Sequence, residues 1–411
     1  MKILLVTGNY LPGKNGGIEN YTHWLATLLL QHHFEVEVAS LNLGEIDNYI
    51  YERVKLHNLK SSFSTFETLL KNGTFDICHF HEYSEYGGIE IPWFKKAKEY
   101  CNKVFFTFHL PYLTCYKNDF RYKGLEDCNT FNDSARCAKC IITEKMNRAI
   151  GTKFSTLGAG VLMHVPRVKN RFENKVALKY HYLEDLIATC DQVFVIADWF
   201  KKILFDNGYI NSNIHKIPNK PAGDIAENSI TDNSTLKNKI LFIGRIQYQK
   251  GLHLLCGAMN LIHSKNLELD VYGNKVDEGY FDKCLQEYAF KYKGSVTRDN
   301  LMAQIKTYDF LVLPSVFTEM YPLVILDALH RHLPVIASTA KGNKDVIING
   351  VNGFLFEYDD AGDLAKTIDK TYRLKTEGWK PEFKYPENPD KDIEEIISYY
   401  SLAKMHSAAE A

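Results

Sequence analysis

The stretch SVFTEMYPLVILDALHRHLPVIAS, which begins at Ser315, carries two carboxylates eight positions apart, Glu319 and Asp327. DFLVLPS before it reads as a buried strand and LVILDALHRH within it as a helix, so Glu319 falls in a strand-to-helix loop and Asp327 on the helix. Pro322 suits the first turn, where its missing N–H costs nothing. The helix-start N–H groups of Tyr321, Leu323 and Val324, about Pro322, are then donors without helical partners, and with the helix dipole they suit an anion. Glu319 can reach a sugar hydroxyl beside that anion. Asp327 can reach a vicinal diol such as a ribose, because one carboxylate accepts two hydrogen bonds. A sugar, a diphosphate and a ribose could thus line up along one loop and helix; for two arbitrary acids, a loop acid and a helix-surface acid is the plainer reading.

Other stretches offer complementary chemistry. In FIGRIQYQKGLHLL, Arg245 follows a strand and Lys250 precedes Gly251 and a helix. Two cations about such a turn can grip a diphosphate and stabilise the charge that builds as it leaves; two solvated loop cations are the plain alternative. Gly16 and Gly17 lie between the first strand and first helix, where glycine lets a ligand approach the backbone. Glu19 and Asn20 beside them either cap the helix or touch a substrate. His79 and His81 in ICHFH share one face of a strand, and a buried, hydrogen-bonded histidine is the commoner fate of such residues. His109 ends the next strand. Cys115, Cys128, Cys137 and Cys140 fall in a polar, loop-like insertion at about 110–145. Four thiolates there suit a structural tetrahedral zinc, and reduced unliganded thiols fit equally well. Lys145, Arg148, Lys153, Arg167, Lys169, Arg171, Lys175 and Lys179 against the single acid Glu173 give 145–179 a basic face, which is either solvated or set against anionic lipid.

The elements that must position these residues alternate. KILLVTG, EVEVASL, ICHFH, VFFTFH and QVFVIA read as strands in the first half, and KILFIGR, LELDVYG, DFLVLPS and PVIAST in the second, with amphipathic helices between. Such alternation predicts parallel sheets with helices on both faces. The series restarts after a polar stretch, which puts a linker near Pro221–Leu236. The expected organisation is α/β: a Rossmann-like domain over 1–220, a second over 237–378, and a terminal helix over 390–405. Ligands of such sheets bind at the carboxyl ends of the strands, so two domains facing each other would leave a substrate cleft.

Composition narrows the partners. The chain has 411 residues, 45% hydrophobic and 24% charged, with a formal net charge of -1. That length predicts two domains, and the charge argues against nucleic acid as a partner. No apolar run reaches the ~18 residues of a membrane span, and the N-terminal run is too short for a secretory signal. Nine cysteines without a signal do not suggest a disulfide framework. A cytoplasmic protein is the expectation.

The stretch from Ser315, with its serine, acid, proline-bearing turn and second acid, resembles the signature of the family-four retaining glycosyltransferases of GT-B fold. It departs in one position, Asp327, where the family usually has Glu. Arg245 and Lys250 in their Gly-Arg…Lys-Gly setting, Gly16 and Gly17, and His109 in TFH resemble further motifs of that family in the same order. The resemblance implies two Rossmann-like domains facing across a cleft, the first on the acceptor side and the second binding a nucleotide-diphosphate sugar. It implies that Arg245 and Lys250 hold the diphosphate and that His109 hydrogen-bonds the sugar or diphosphate. It also implies that Gly273 and the YKGSV turn near Gly294 flank the base, and that the last helix packs back on the first domain. A subset of the family carries a similar cysteine-bearing insertion. The acceptor hydroxyl would attack on the face from which the diphosphate departs, with no side-chain nucleophile and no cofactor, any zinc being structural. UDP is favoured as the commonest nucleotide of such enzymes. A glycan or lipid-linked acceptor, cell-surface polysaccharide or glycolipid synthesis, and a peripheral contact with the inner face of the membrane complete the expectation. The rivals are a nucleotide-sugar epimerase of the same fold and a non-catalytic sugar-nucleotide or glycan-binding protein.

Overall fold

A computed structural model describes residues 1–14, 16–44, 47–84, 88–124, 126–150, 152–217, 235–263, 267–383 and 393–402, with the backbone alone at 147–150, 152–157, 298–299 and 302. The chain divides into two compact units, Met1–Lys220 with Pro389–Ala411, and Pro221–Asn388. Of the linker expected near 221–236, residues 221–234 lie outside the described residues.

The first unit is built on β1 (Lys2–Asn9), β2 (Glu35–Asn42), β3 (Asn48–Tyr51), β4 (Val54–Asn58), β5 (Ile77–Phe80), β6 (Lys103–Phe108), β9 (Gln192–Val195) and β10 (Ile214–Lys216). A separate two-stranded ribbon, β7 (Arg121–Tyr122) and β8 (Glu126–Asp127), lies in the insertion. The eight-stranded sheet runs β10-β9-β6-β5-β1-β2-β4-β3, parallel except for the antiparallel edge β3. In β1 every residue from Ile3 to Gly8 is buried, as expected of a central strand covered on both faces.

The second unit holds β11 (Lys239–Ile243), β12 (Glu268–Tyr272), β13 (Lys291–Gly294), β14 (Phe310–Leu313), β15 (Val335–Ser338) and β16 (Gly353–Phe356) in the all-parallel order β13-β12-β11-β14-β15-β16. Ile240, Phe242, Leu255, Val271, Phe310 and Ile336 belong to its core.

Each sheet has a point where the chain reverses its direction of travel across the strands. In the first it lies between β1 and β5, in the second between β11 and β14. Loops that leave adjacent strands toward opposite faces open a crevice there.

Two expectations are corrected. The insertion is irregular only to about 133. Helix Ser134–Ile150 then begins, with Asp133 accepting from the Arg136 amide at 2.9 Å, so Cys137 and Cys140 stand on a helix. Lys179 does not belong to the basic face: on helix Pro166–Thr189 it is buried, and its ammonium donates to the Cys115 carbonyl and Asn118 Oδ1, both at 3.3 Å. The helix over 393–402 packs within the first unit, where Tyr400 Oη meets His79 Nδ1 at 2.6 Å and Tyr399 packs edge-on against Phe194. Among the described residues no helix is long and apolar enough to cross a membrane.

Candidate active site

In the second unit the reversal point is flanked by the loops after β11 and β14, which carry Arg245 with Lys250 and Ser315 with Glu319. Lys250 closes a short 3-10 turn, Tyr248–Lys250, and its ammonium lies 2.6 Å from Glu319 Oε1. The Ser315 hydroxyl donates to the same oxygen at 2.7 Å. Burial works against ionisation of Glu319, but Lys250, Ser315 and Arg245 outweigh it and hold the pKa below the ordinary glutamate value. Glu319 is thus an anion set between cations on one loop pair.

The two loops are stitched by backbone. Val316 N donates to Gln249 O at 3.0 Å. Gly251, at φ 71°, lies against the Pro314 carbonyl, whose oxygen would stand 1.8 Å from a Cβ. From the other side Glu319 N donates to Lys341 O at 3.0 Å, and Gly342 at φ 89° presses on the Glu319 carbonyl. Ser338 Oγ donates to Ser315 O at 2.7 Å and Asn343 Nδ2 to Ser338 O at 3.1 Å. The Tyr358 hydroxyl donates to Val316 O. These supports were not singled out from the sequence, because their partners are backbone atoms distant in the chain.

Helix Leu323–His330 begins where the LVILDALHRH pattern begins, with Pro322 as N-cap rather than in the first turn. Its first two amides, Leu323 and Val324, precede the Ile325 amide that turns back to Pro322 O. Tyr321 is buried just before the cap. Asp327 is buried within the helix beside Leu326 and Ala328, so it is not a solvated surface acid. Gly273, after β12, packs on the Gly244 carbonyl beside Arg245, and its amide donates to Gly294 O at 3.0 Å.

The first unit gathers Gly16, Gly17 and His109 with residues that the sequence did not single out. Gly16 is the N-cap of helix Gly17–Gln31. Asn20 Nδ2 donates to Gly16 O at 2.7 Å, while the buried Glu19 lies over Gly16. Glu82, just past β5, accepts from the Gly8 amide at 2.9 Å, and burial raises its pKa. His79 and His81 are both buried, with ring centroids 4.2 Å apart. His79 is bonded to Tyr400 and to Thr107 Oγ1, and His81 Nδ1 lies 3.1 Å from His109 Nε2. The ring of Tyr21 meets that of His109 edge-on at 4.7 Å.

The four insertion thiols take separate partners. Cys115 contacts Asp119 at 3.8 Å, and Cys128 contacts Thr130 O at 3.1 Å. Cys137 accepts from Tyr180 Oη at 3.0 Å, and Cys140 from the Lys123 amide at 3.0 Å. Burial pushes Cys137 up to about 11 and Cys115 up to about 12. Among the described residues no three His, Cys, Asp or Glu are placed to hold a metal ion, so the structure does not bring this quartet together as a zinc site. On the basic stretch Arg167, Lys169, Arg171 and Lys175 are exposed, while the side chains of Arg148 and Lys153 lie outside the described residues. A separate cavity of about 760 Å³ in the first unit, lined by Tyr83, Tyr116, Lys175 and Tyr182 among others, shares none of the catalytic or donor-site candidates.

Residues 237–373 match the family model of glycosyl transferases group 1. An uncharacterized glycosyltransferase of Methanocaldococcus jannaschii is 29% identical over 170 residues, 40% of this chain and 42% of that protein. A UDP-Gal:alpha-D-GlcNAc-diphosphoundecaprenol alpha-1,3-galactosyltransferase of Escherichia coli is 27% identical over 217 residues, 47% of this chain and 54% of its own length. Each match therefore spans only about half of the relative. Among solved structures, sucrose-phosphate synthase from Thermosynechococcus elongatus superposes with a TM-score of 0.62 at 14% identity, over 100% of this chain and 98% of that one. Anabaena HepE in complex with UDP and glucose does so at 0.60 and 13%, over 98% and 99%. At such identities the likeness is one of fold. The chain has the GT-B fold, and its residues 237–373 match the model of the glycosyl transferases group 1.

Proposed function

We propose that this protein is a retaining glycosyltransferase that moves a sugar from a nucleotide-diphosphate sugar to a hydroxyl of a glycan or lipid-linked acceptor. The observation that carries this reading is the Arg245, Lys250, Ser315 and Glu319 constellation at the reversal point of the second sheet. UDP is the favoured nucleotide, supported by the UDP-bound neighbour and by the UDP-galactose enzyme among the relatives. The same relative acts on a diphosphoundecaprenol-linked sugar, which supports a lipid-linked acceptor and a role in cell-surface polysaccharide or glycolipid synthesis.

In this mechanism the anomeric carbon–oxygen bond to the diphosphate breaks and a bond to the acceptor oxygen forms on the same face. The acceptor proton passes to the departing diphosphate oxygen. Arg245 and Lys250 stabilise the charge that develops there, with the Leu323 and Val324 amides as further donors. Lys250 is then shared between the phosphate and Glu319, and the freed lone pairs of Glu319 accept from a sugar hydroxyl. Asp327 is given the ribose and Gly273 the side of the base. Gly16 and Gly17 are given the donor diphosphate as well as the acceptor, and His109 hydrogen-bonds the sugar or diphosphate. Charge neutralisation by side chains leaves no step that calls for a metal. The exposed Arg167, Lys169, Arg171 and Lys175, with exposed Val161, Val165 and Leu178, support a cytoplasmic protein resting on the inner membrane face.

Incubation with UDP-sugars and an acceptor panel, with and without EDTA, tests the reading. The expected product keeps the donor's anomeric configuration by NMR, and EDTA leaves its rate unchanged. An inverted product contradicts the mechanism. UDP-sugar binding without turnover on any acceptor would favour the binding-protein rival.

A further inference from the structure

His81 is the residue whose partner makes it more than core filling. One proton is shared across the 3.1 Å contact between His81 Nδ1 and His109 Nε2. If His109 donates, His81 must carry its own proton on Nε2, and that atom is sealed from solvent with no partner. A buried donor without an acceptor is a rare and costly arrangement. If His81 donates instead, its Nε2 is a bare lone pair and His109 carries its proton on Nδ1. Among the described residues Nδ1 of His109 makes no other hydrogen bond, and it is not among the sealed atoms. Both rings stay neutral, since burial lowers the pKa of each, His109 to about 3.

We propose that His81 is a positioning residue that fixes His109 in its Nδ1–H form, so that His109 works as a neutral hydrogen-bond donor to a substrate oxygen and not as a base. Support comes from further back as well. The His81 ring lies on His79, which is held between Thr107 at 2.8 Å and Tyr400 at 2.6 Å. An Nδ1–H donor suits a sugar hydroxyl or phosphate oxygen and cannot take the acceptor's proton.

The kinetic half of this proposal rests on the glycosyltransferase reading, and the tautomer half does not. Two-bond proton–nitrogen spectra of histidine-labelled protein should show His109 protonated at Nδ1 and unchanged from pH 5 to 8. An Nε2–H form, or titration in that window, overturns the proposal whether or not the protein is a transferase. His81→Asn keeps an N–H donor near Nδ1 and should retain the tautomer and most of the turnover. His81→Phe removes the donor, and kcat should fall on the order of 10–100-fold with the KM for donor little changed. Unchanged kcat in a folded His81→Phe protein would overturn the positioning role and leave the transferase reading standing. Absence of turnover in wild type would count against the transferase reading alone, with the spectra still deciding the tautomer.

Discussion

Lys250 and Glu319, 69 positions apart, meet at 2.6 Å where the loops leaving β11 and β14 adjoin. The contact joins two motifs that are separate in sequence, one cationic and one acidic, at the crevice that a doubly wound sheet opens for a ligand. Removing the acid should hurt chemistry more than folding. Glu319→Ala should lower turnover by roughly 100-fold or more while the protein stays folded by circular dichroism. Near-normal turnover would remove Glu319 from the account.

The charge state of Glu319 gives a pH signature. Its native pKa lies below the unfolded value, so its contribution to stability is full above about 4.3 and is lost as pH falls through the native value. As pH falls from about 4.3 toward that lower value, the melting temperature of wild type should drop more steeply than that of Glu319→Gln. Parallel curves would show that Lys250 and Arg245 do not hold the carboxylate ionised.

Gly251 is a backbone requirement. A methyl group there meets the Pro314 oxygen at 1.8 Å, on a residue at φ 71°. Gly251→Ala should cost at least ~2 kcal/mol in denaturant unfolding and weaken nucleotide binding by pulling Lys250 off Glu319. A Gly208→Ala control, also at positive φ but with open space about it, should cost ~1 kcal/mol. Equal effects would mean that the Pro314 contact is irrelevant.

These supports mark the limit of what the sequence reveals. Apolar runs such as KILFIGR and DFLVLPS are legible as strands because a central parallel strand is buried on both faces. Asn48–Tyr51 and Ile214–Lys216 are edge strands of mixed polarity, which leaves no such run. The cationic and acidic motifs could be named from residue type and spacing, and the structure brings Arg245, Lys250 and Glu319 together. The cysteine insertion was legible only as four thiols in a polar stretch; that Cys137 and Cys140 ride a helix, against Tyr180 and the Lys123 amide, depends on partners distant in the chain. His81 was legible as a buried histidine, but its pairing with His109 depends on the register of β5 against β6, which places Phe80 beside Phe106.

Tyr400 ties the terminal helix to the first sheet. Its hydroxyl is buried against His79 Nδ1 at 2.6 Å. Tyr400→Phe leaves that nitrogen without its partner and should destabilise by about 1–3 kcal/mol. Tyr399→Phe, whose hydroxyl reaches the exposed Glu395, should stay within ~0.5 kcal/mol of wild type. If the two variants unfold alike, the buried bond is not what fastens the helix.

The insertion thiols can be checked directly. Because each has its own protein partner, dialysis against a chelator should leave the melting temperature unchanged. A clear fall, restored by zinc, would show that Cys115, Cys128, Cys137 and Cys140 close on a metal after all.

The most direct test of the central claim is a thermal-shift panel of UDP, GDP, ADP and their sugars on wild type and on Arg245→Ala. A ligand that binds only the folded state raises the melting temperature. UDP and UDP-sugars should stabilise the wild type, and Arg245→Ala should lose the shift while melting normally by itself. No shift from any nucleotide at millimolar concentration would contradict a donor site at Arg245, Lys250 and Glu319.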